Sequence, residues 1–364
     1  MIDYLKTYGH IPFRESPMND VDLLIFAQLA YMDFEAVSQT PCPFSHALAR
    51  ASFADSGDAS EDRFSFQKKD DRLLASLSAS CPRYQEIEFL RFERHFDPEA
   101  ETQFAALALA LSEDHLLIAF RGTDNTLAGW KEDFNMAFMD EIPAQRMALE
   151  FLEETAENAG KITVIGHSKG GNLALYAASA CSYSLHKRIA QAVSFDGPGL
   201  NEHVIHSEGF IRMADRMRVV RPRASLVGML FEQPKNIRTI DSRVFSLLQH
   251  YPYFWKTDGM DFIDLARPSF DSALLGKTLC GLLERLPVEA REQLIESVYK
   301  IISASDAATF NDLADTWLKS AAAIAMELFR TDSQTRKLFL RTLSAFLSSA
   351  AQALSDSFAP EEKK

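Results

Sequence analysis

Apolar positions along the chain follow two different rhythms. Val21, Leu24, Ile25, Leu29 and Met32 share one face at helical spacing and predict a helix over 19–35, with Asn19 or Asp20 as its N-cap. Residues 36–85 mix Ser, Asp and Pro with short apolar stretches and predict irregular helices and loops. The apolar runs Gln103–Leu111 and His115–Phe120 then flank the polar Ser112-Glu113-Asp114, which is a hairpin signature, and 87–95 supplies one more antiparallel strand. From there helix and strand alternate. A helix over 143–159 opens with Pro143 and ends at Gly160, a strand follows at 161–166, and a helix at 170–180. Short apolar strands recur at Ile189–Phe195, Arg216–Arg221 and Ile237–Ser242. This alternation predicts an α/β fold with a mostly parallel sheet flanked by helices on both faces. After about residue 245 no strand signal appears. Phe310, Leu313, Trp317, Ala321, Ile324 and Leu328 make one helical stripe, and Phe339, Leu343, Phe346, Ala350 and Leu354 make another. The expected division is therefore 1–265 for the α/β unit and 266–364 for an all-helical hairpin or bundle.

Charge and cysteine usage narrow the classes. A formal charge of −13 argues against a nucleic-acid partner, which requires an excess of Lys and Arg. Met1-Ile2-Asp3-Tyr4-Leu5-Lys6 lacks a basic stretch followed by an apolar core, and no apolar run has membrane-spanning length. The C-terminal stripes are expected to pack against protein rather than lipid. Cys42, Cys81, Cys181 and Cys280 are scattered without a CxxC pair, so buried reduced thiols in the cytoplasm are expected, with no metal and no cofactor.

The densest chemistry lies at Gly166-His167-Ser168-Lys169-Gly170, between the apolar run Ile162–Ile165 and the helix-forming Asn172–Ala177. A Gly-x-Ser-x-Gly pentapeptide in strand–turn–helix context is a nucleophile elbow. The glycines are needed because the chain reverses so tightly that side chains two residues either side of the serine would collide. Ser168 is then presented on a strained turn at a helix N-terminus.

A serine hydroxyl becomes a nucleophile when a histidine takes its proton and a carboxylate orients that histidine. In elbow-type hydrolases the chain order is Ser, acid, His. Of His186, His203, His206 and His250, only His250 follows the final strand, in Leu247-Leu248-Gln249-His250-Tyr251. Asp196 ends a strand in Phe195-Asp196-Gly197-Pro198-Gly199 and is the favoured acid, with Asp241 as its competitor. An oxyanion hole needs two convergent donors. The backbone N–H of Lys169 is one candidate, and Thr123, at the strand end Phe120-Arg121-Gly122-Thr123, offers a backbone N–H and a hydroxyl for the other. Trp130, Phe134 and Phe138 recur at i, i+4, i+8 beside the charged Lys131, Glu132 and Asp133. That segment reads as an amphipathic helix: a lid, a wall of an acyl pocket, or a helix packed permanently on the body.

These residues together resemble the class 3 (fungal-type) lipases, which also carry a Phe-Arg-Gly-Thr strand end, a tryptophan-containing lid segment and Gly-His-Ser-x-Gly-Gly. More narrowly, the chain is similar to the bacterial Mbeg-like branch of lipase-like proteins. The matching stretches are Asn19–Phe34, Phe120–Phe134, Gly166–Asn172, Phe195–Gly199, Ser225–Leu230, and Gln249-His250 with Trp255, all within residues 10–260. The resemblance implies an α/β-hydrolase fold with Ser168 as nucleophile, His250 as base and Thr123 in the oxyanion hole. Two departures stand out. Where class 3 lipases carry their acid before an Ile-Val-Pro-like run, this chain has Ser225, so the carboxylate must come from elsewhere. Pancreatic-type lipases place it one strand earlier in an Asp-Pro-Ala-Gly-Pro turn, which Phe195-Asp196-Gly197-Pro198 resembles. Lys169 replaces the usual leucine after the nucleophile, and a surface ion pair is its expected use. The expected activity is hydrolysis of a small-molecule acyl ester through an acyl-enzyme. The alternative is a catalytically weak descendant of the fold that serves as a binding module.

Overall fold

The computed structural model describes residues 1–266 apart from 38–39, 54–64, 125–126, 226 and 245, together with 287–289, 291–292, 296 and 337. Both C-terminal stripes fall outside the described residues, as does most of the expected helical unit 266–364.

The long apolar run after residue 100 becomes the centre of the sheet. In order along the chain the described strands are β1 (Met32–Asp33), β2 (Cys42–Pro43), β3 (Ser52–Phe53), β4 (Glu88–Asp97), β5 (Thr102–Ser112), β6 (His115–Phe120), β7 (Lys161–His167), β8 (Ile189–Phe195), β9 (Met217–Pro222), β10 (Ile237–Ile240), β11 (Thr257–Asp258) and β12 (Asp261–Phe262). Eight of them form one sheet in the spatial order β2-β4-β5-β6-β7-β8-β9-β10. From β6 to β10 the neighbours are parallel, and the β2–β4, β4–β5 and β5–β6 pairs are antiparallel. Strand β5 is apolar at successive positions because both faces are covered. Ala105, Leu107 and Leu109 point into one buried core, and Phe104, Ala106 and Ala108 into the other. The helices α1 (Ile2–Tyr8), α2 (Asp20–Leu29), α3 (Phe44–Arg50) and α4 (Ser65–Ser80) precede this centre, and α5 (Leu127–Asn135), α6 (Pro143–Thr155) and α7 (Lys169–Ala180) follow β6. Side chains of α1–α4 fill the first core and those of α6 and α7 the second, giving three layers around a mostly parallel sheet. This is the α/β-hydrolase arrangement expected from the sequence.

Three early expectations change. Beyond residue 245, where no strand was expected, Thr257–Asp258 and Asp261–Phe262 pair as a short antiparallel ribbon. The helix expected over 19–35 ends at Leu29, since the chain turns at Ala30 and Met32–Asp33 pair antiparallel with Ser52–Phe53. Met32 is buried from a strand, so it completes the helical stripe without belonging to the helix. The irregular stretch 36–85 contains the 16-residue helix α4, whose Ser- and Asp-rich sequence hid it. The N-cap of α2 is Asn19, whose Oδ1 accepts from the amides of Val21 and Asp22 at 2.9 and 3.2 Å.

Asp22, in the first turn of α2, also closes a buried ion pair. Its carboxylate accepts from Arg83 Nε at 2.8 Å and Nη2 at 2.6 Å, and from the hydroxyls of Tyr4 and Tyr84 at 3.0 and 2.9 Å. Arg83 spends its remaining donors on the carbonyls of Ile11, Ser16 and Pro17. Removing one member of a fully buried pair strands the other, so Arg83→Met is expected to destabilise the chain by about 3–5 kcal/mol, read as a lower urea midpoint.

Candidate active site

Strand β7 runs straight into the elbow. A Cβ on Gly166 would stand 2.0 Å from the carbonyl oxygen of Gly170, and one on Gly170 would stand 2.1 Å from that of Phe120. Any side chain at either position would therefore break the turn. Ser168 sits between them at φ 58° and ψ −132°, a region that a residue with a Cβ occupies only under strain. Its amide donates to the carbonyl of Phe195 at the end of β8, which fastens the turn to the neighbouring strand.

Asp196 is the next residue after β8, also at positive φ (52°), with its amide donated to Val220 on β9. That bend turns its carboxylate across the sheet end. His250 closes the short helical turn Ser246–His250 that follows β10. Its loop is pinned by Gln249, whose Oε1 accepts from the Ala224 amide at 2.8 Å and whose carbonyl accepts from Trp255 Nε1 at 2.7 Å. The three side chains meet. His250 Nε2 lies 2.9 Å from Ser168 Oγ, and His250 Nδ1 lies 2.7 Å from Asp196 Oδ2. A carboxylate only accepts, so Nδ1 carries the proton and Nε2 presents a lone pair to the serine hydroxyl.

The buried Asp196 carboxylate has a second partner. Ser225 Oγ donates to Oδ1, and the Gly228 amide donates to Ser225 Oγ at 2.8 Å. The serine at the position where the resembling lipases carry their acid thus supports a carboxylate one strand away. Asp241, the competing acid, is directed elsewhere. Its Oδ2 pairs with Lys256 at 2.8 Å and its Oδ1 accepts the Ser242 amide. His203 and His206 are exposed, and His186 is buried against Gly209, so none of them reaches the serine.

His167 forms a further layer that the sequence did not reveal, although it stands inside the pentapeptide. It is buried, with its ring 4.8 Å from that of His250. Burial, and then the neighbouring His250, hold it well below the usual imidazole range, so it is neutral. Its Nε2 donates to the carbonyl of His250 at 3.0 Å, and Nδ1 accepts from Tyr31 Oη at 3.1 Å. The imidazole that precedes the serine therefore fixes the backbone of the histidine that faces it.

On the other side of Ser168, Thr123 Oγ1 donates to Asp133 Oδ2 at 2.6 Å. Burial is the main cause that pushes Asp133 up to about 6, and its Oδ1 is shielded without a partner among the described residues. The charged trio of α5 points inward. Lys131 and Glu132 are fully buried. Glu132 Oε2 accepts from Lys169 Nζ at 2.6 Å, so the ion pair of Lys169 is buried and not on the surface as expected. Phe134 and Phe138 are half-buried, but α5 ends at Asn135, so Phe138, expected on the same helix, lies in the turn beyond it, with Lys131 Nζ 5.9 Å from its ring centre; the Trp130 side chain lies outside the described residues.

The His250 loop is also anchored from α4. Asp71 Oδ1 accepts from Tyr253 Oη at 2.6 Å and from Gln28 Nε2 at 2.9 Å. Burial raises Asp71 to about 6 against an ordinary 3.8. A raised carboxyl pKa means that the folded chain holds the proton longer than the unfolded chain. Folding stability from this group therefore falls as pH rises from about 4 to about 6, and stays reduced above. Asp71→Asn removes that loss. Its stability relative to the parent should improve by up to ~3 kcal/mol between pH 4 and pH 7 in urea titrations.

Among the described residues no helix is long and apolar enough to cross a membrane, and no group of three or more His, Cys, Asp or Glu is arranged to hold a metal ion. No curated protein is significantly similar in sequence. The solved structure of M37 lipase is similar at 16% identity, with 58% of this chain and 70% of that one covered and a TM-score of 0.36. The profile of the Mbeg1-like family matches residues 78–300, which include the elbow, Asp196, His250 and the α5 segment. With well over half its length matched, the chain belongs to the Mbeg1-like family.

Proposed function

We propose that this protein is a serine hydrolase that cleaves an acyl ester through an acyl-enzyme, with Ser168, His250 and Asp196 as its triad. The observation that carries this reading is the unbroken chain of contacts from Ser168 Oγ through both ring nitrogens of His250 to Asp196 Oδ2, at 2.9 and 2.7 Å, with the serine on a strained elbow. His250 Nε2 takes the hydroxyl proton as Oγ attacks the ester carbonyl, and Asp196 stabilises the imidazolium that forms. The tetrahedral oxyanion is held by backbone donors. One is the amide of Lys169, the first residue of α7, where helical amides lack an intrahelical acceptor. The other is the amide of Thr123, because the Thr123 hydroxyl is already committed to Asp133. Collapse expels the alcohol, which receives the proton from His250. Water then attacks the acyl-enzyme with His250 again as base, releasing the acid and the free serine.

A fluorophosphonate probe tests this directly. Stoichiometric labelling of Ser168, lost in Ser168→Ala, is expected. Absence of labelling in the folded parent would overturn the hydrolase reading in favour of a binding module. Helix α5 is read as a fixed wall of the acyl side, because Glu132 and Asp133 bind Lys169 and Thr123 on the body. The rate against tributyrin should then rise smoothly across its solubility limit; a sharp jump would mean a lid.

A further inference from the structure

The residue after the nucleophile is a lysine with a fully buried side chain, and its ammonium makes two bonds. Lys169 Nζ donates to the Gln103 carbonyl at 2.7 Å and to Glu132 Oε2 at 2.6 Å. Glu132 is equally buried. Its Oε2 accepts the Gln103 amide at 3.1 Å, and its Oε1 accepts the Ala144 amide in the first turn of α6 at 3.0 Å. Glu132 and Lys169 thus join the starts of β5, α6 and α7 to α5. Burying both charges is costly, and their bonds to the Gln103 and Ala144 amides and the Gln103 carbonyl offset part of that cost. The arrangement leaves room for a reason beyond stability.

That reason lies in what the pair connects. Lys169 carries one proposed oxyanion donor on its own backbone. Asp133, adjacent to Glu132, holds the hydroxyl of Thr123, which carries the other. Gln103, at the centre of the arrangement, also accepts the Asp124 amide through its side chain at 3.1 Å, fixing the chain just past Thr123. We propose that Lys169 and Glu132 are positioning residues that set the separation of the two oxyanion donors, by tying the elbow to the segment that holds Thr123. This inference rests on the hydrolase reading and adds to it a device specific to the lysine at 169. Oxyanion donors act on charge that develops in the transition state, so slackening the tie lowers kcat and leaves KM nearly unchanged.

The test compares Lys169→Met, Glu132→Gln and the double variant K169M/E132Q, using hydrolysis of p-nitrophenyl butyrate, thermal unfolding and fluorophosphonate labelling. Each single variant leaves a buried charge without its counter-charge, and a lower Tm is expected. The double variant removes both charges and should regain much of that Tm. If the pair positions the donors, kcat of the double variant stays at least about tenfold below the parent, with KM within about threefold. Lys169→Arg, which keeps a cation within reach of Glu132, should recover part of kcat. Recovery of kcat together with Tm in the double variant would reduce the pair to a structural contact and overturn the proposal. The same follows if kcat in Lys169→Met stays within about threefold of the parent. In either case labelling and turnover by the parent leave the hydrolase reading standing. A parent that neither labels nor turns over ends both readings.

Discussion

Ser168→Ala is expected to abolish hydrolysis of short p-nitrophenyl esters while leaving the fold in place. Removing a triad nucleophile costs about 10⁶-fold in turnover when the triad is fully developed. The fold should survive because alanine keeps the Cβ, and the strain at φ 58° resides in the backbone, which Gly166 and Gly170 permit. Among the described residues the substitution removes one partly exposed hydrogen bond, that to His250 Nε2. His250 remains held by Asp196 and, through its carbonyl, by His167. Thermal unfolding within a few degrees of the parent, with turnover at background, is the expected pair of results. A variant that kept more than about a tenth of the rate would show that another group attacks the ester.

The elbow was legible in the sequence because its constraint is local. A Cβ at Gly166 would stand 2.0 Å from the Gly170 carbonyl oxygen four residues on, so the turn itself demands glycine there. The sheet was legible for a similar reason: a strand covered on both faces must be apolar at every position, as in Phe104–Leu109. Asp196 and His250 followed from strand ends and chain order, since these fix which residues gather at one edge of a parallel sheet. The trio Lys131-Glu132-Asp133 was not legible. Three consecutive charges read as a solvated face, yet Lys131 bonds Asn135 and Glu296, Glu132 bonds Lys169, and Asp133 bonds Thr123. Asn135 is one turn along the same helix, but only the fold brings Glu296, Lys169 and Thr123 within reach. The same limit hid Tyr31. Its place inside the expected helix 19–35 concealed a turn that sends its hydroxyl to His167.

The acid assignment makes the second large prediction. Asp196→Asn is expected to cut turnover by about 10³–10⁴-fold, and the surroundings of the carboxylate dictate why. Ser225 Oγ already accepts the Gly228 amide at 2.8 Å and directs its own proton at Oδ1 of residue 196. An asparagine there must turn its carbonyl oxygen toward Ser225, which leaves its amide nitrogen facing His250 Nδ1. An N–H donor at that point forces His250 to place its proton on Nε2, opposite the serine hydroxyl, where a base is required. The fold should be retained, since asparagine fills the same volume and tolerates the positive φ of 52° at this position. Asp241→Asn provides the contrast. It weakens a half-exposed pair with Lys256 and should leave turnover within about twofold, as surface pairs contribute little. Steady-state kcat on p-nitrophenyl butyrate for the two variants decides the matter. A large loss in Asp241→Asn with little in Asp196→Asn would mean that the orienting carboxylate comes from the residue after β10 and not from the turn after β8.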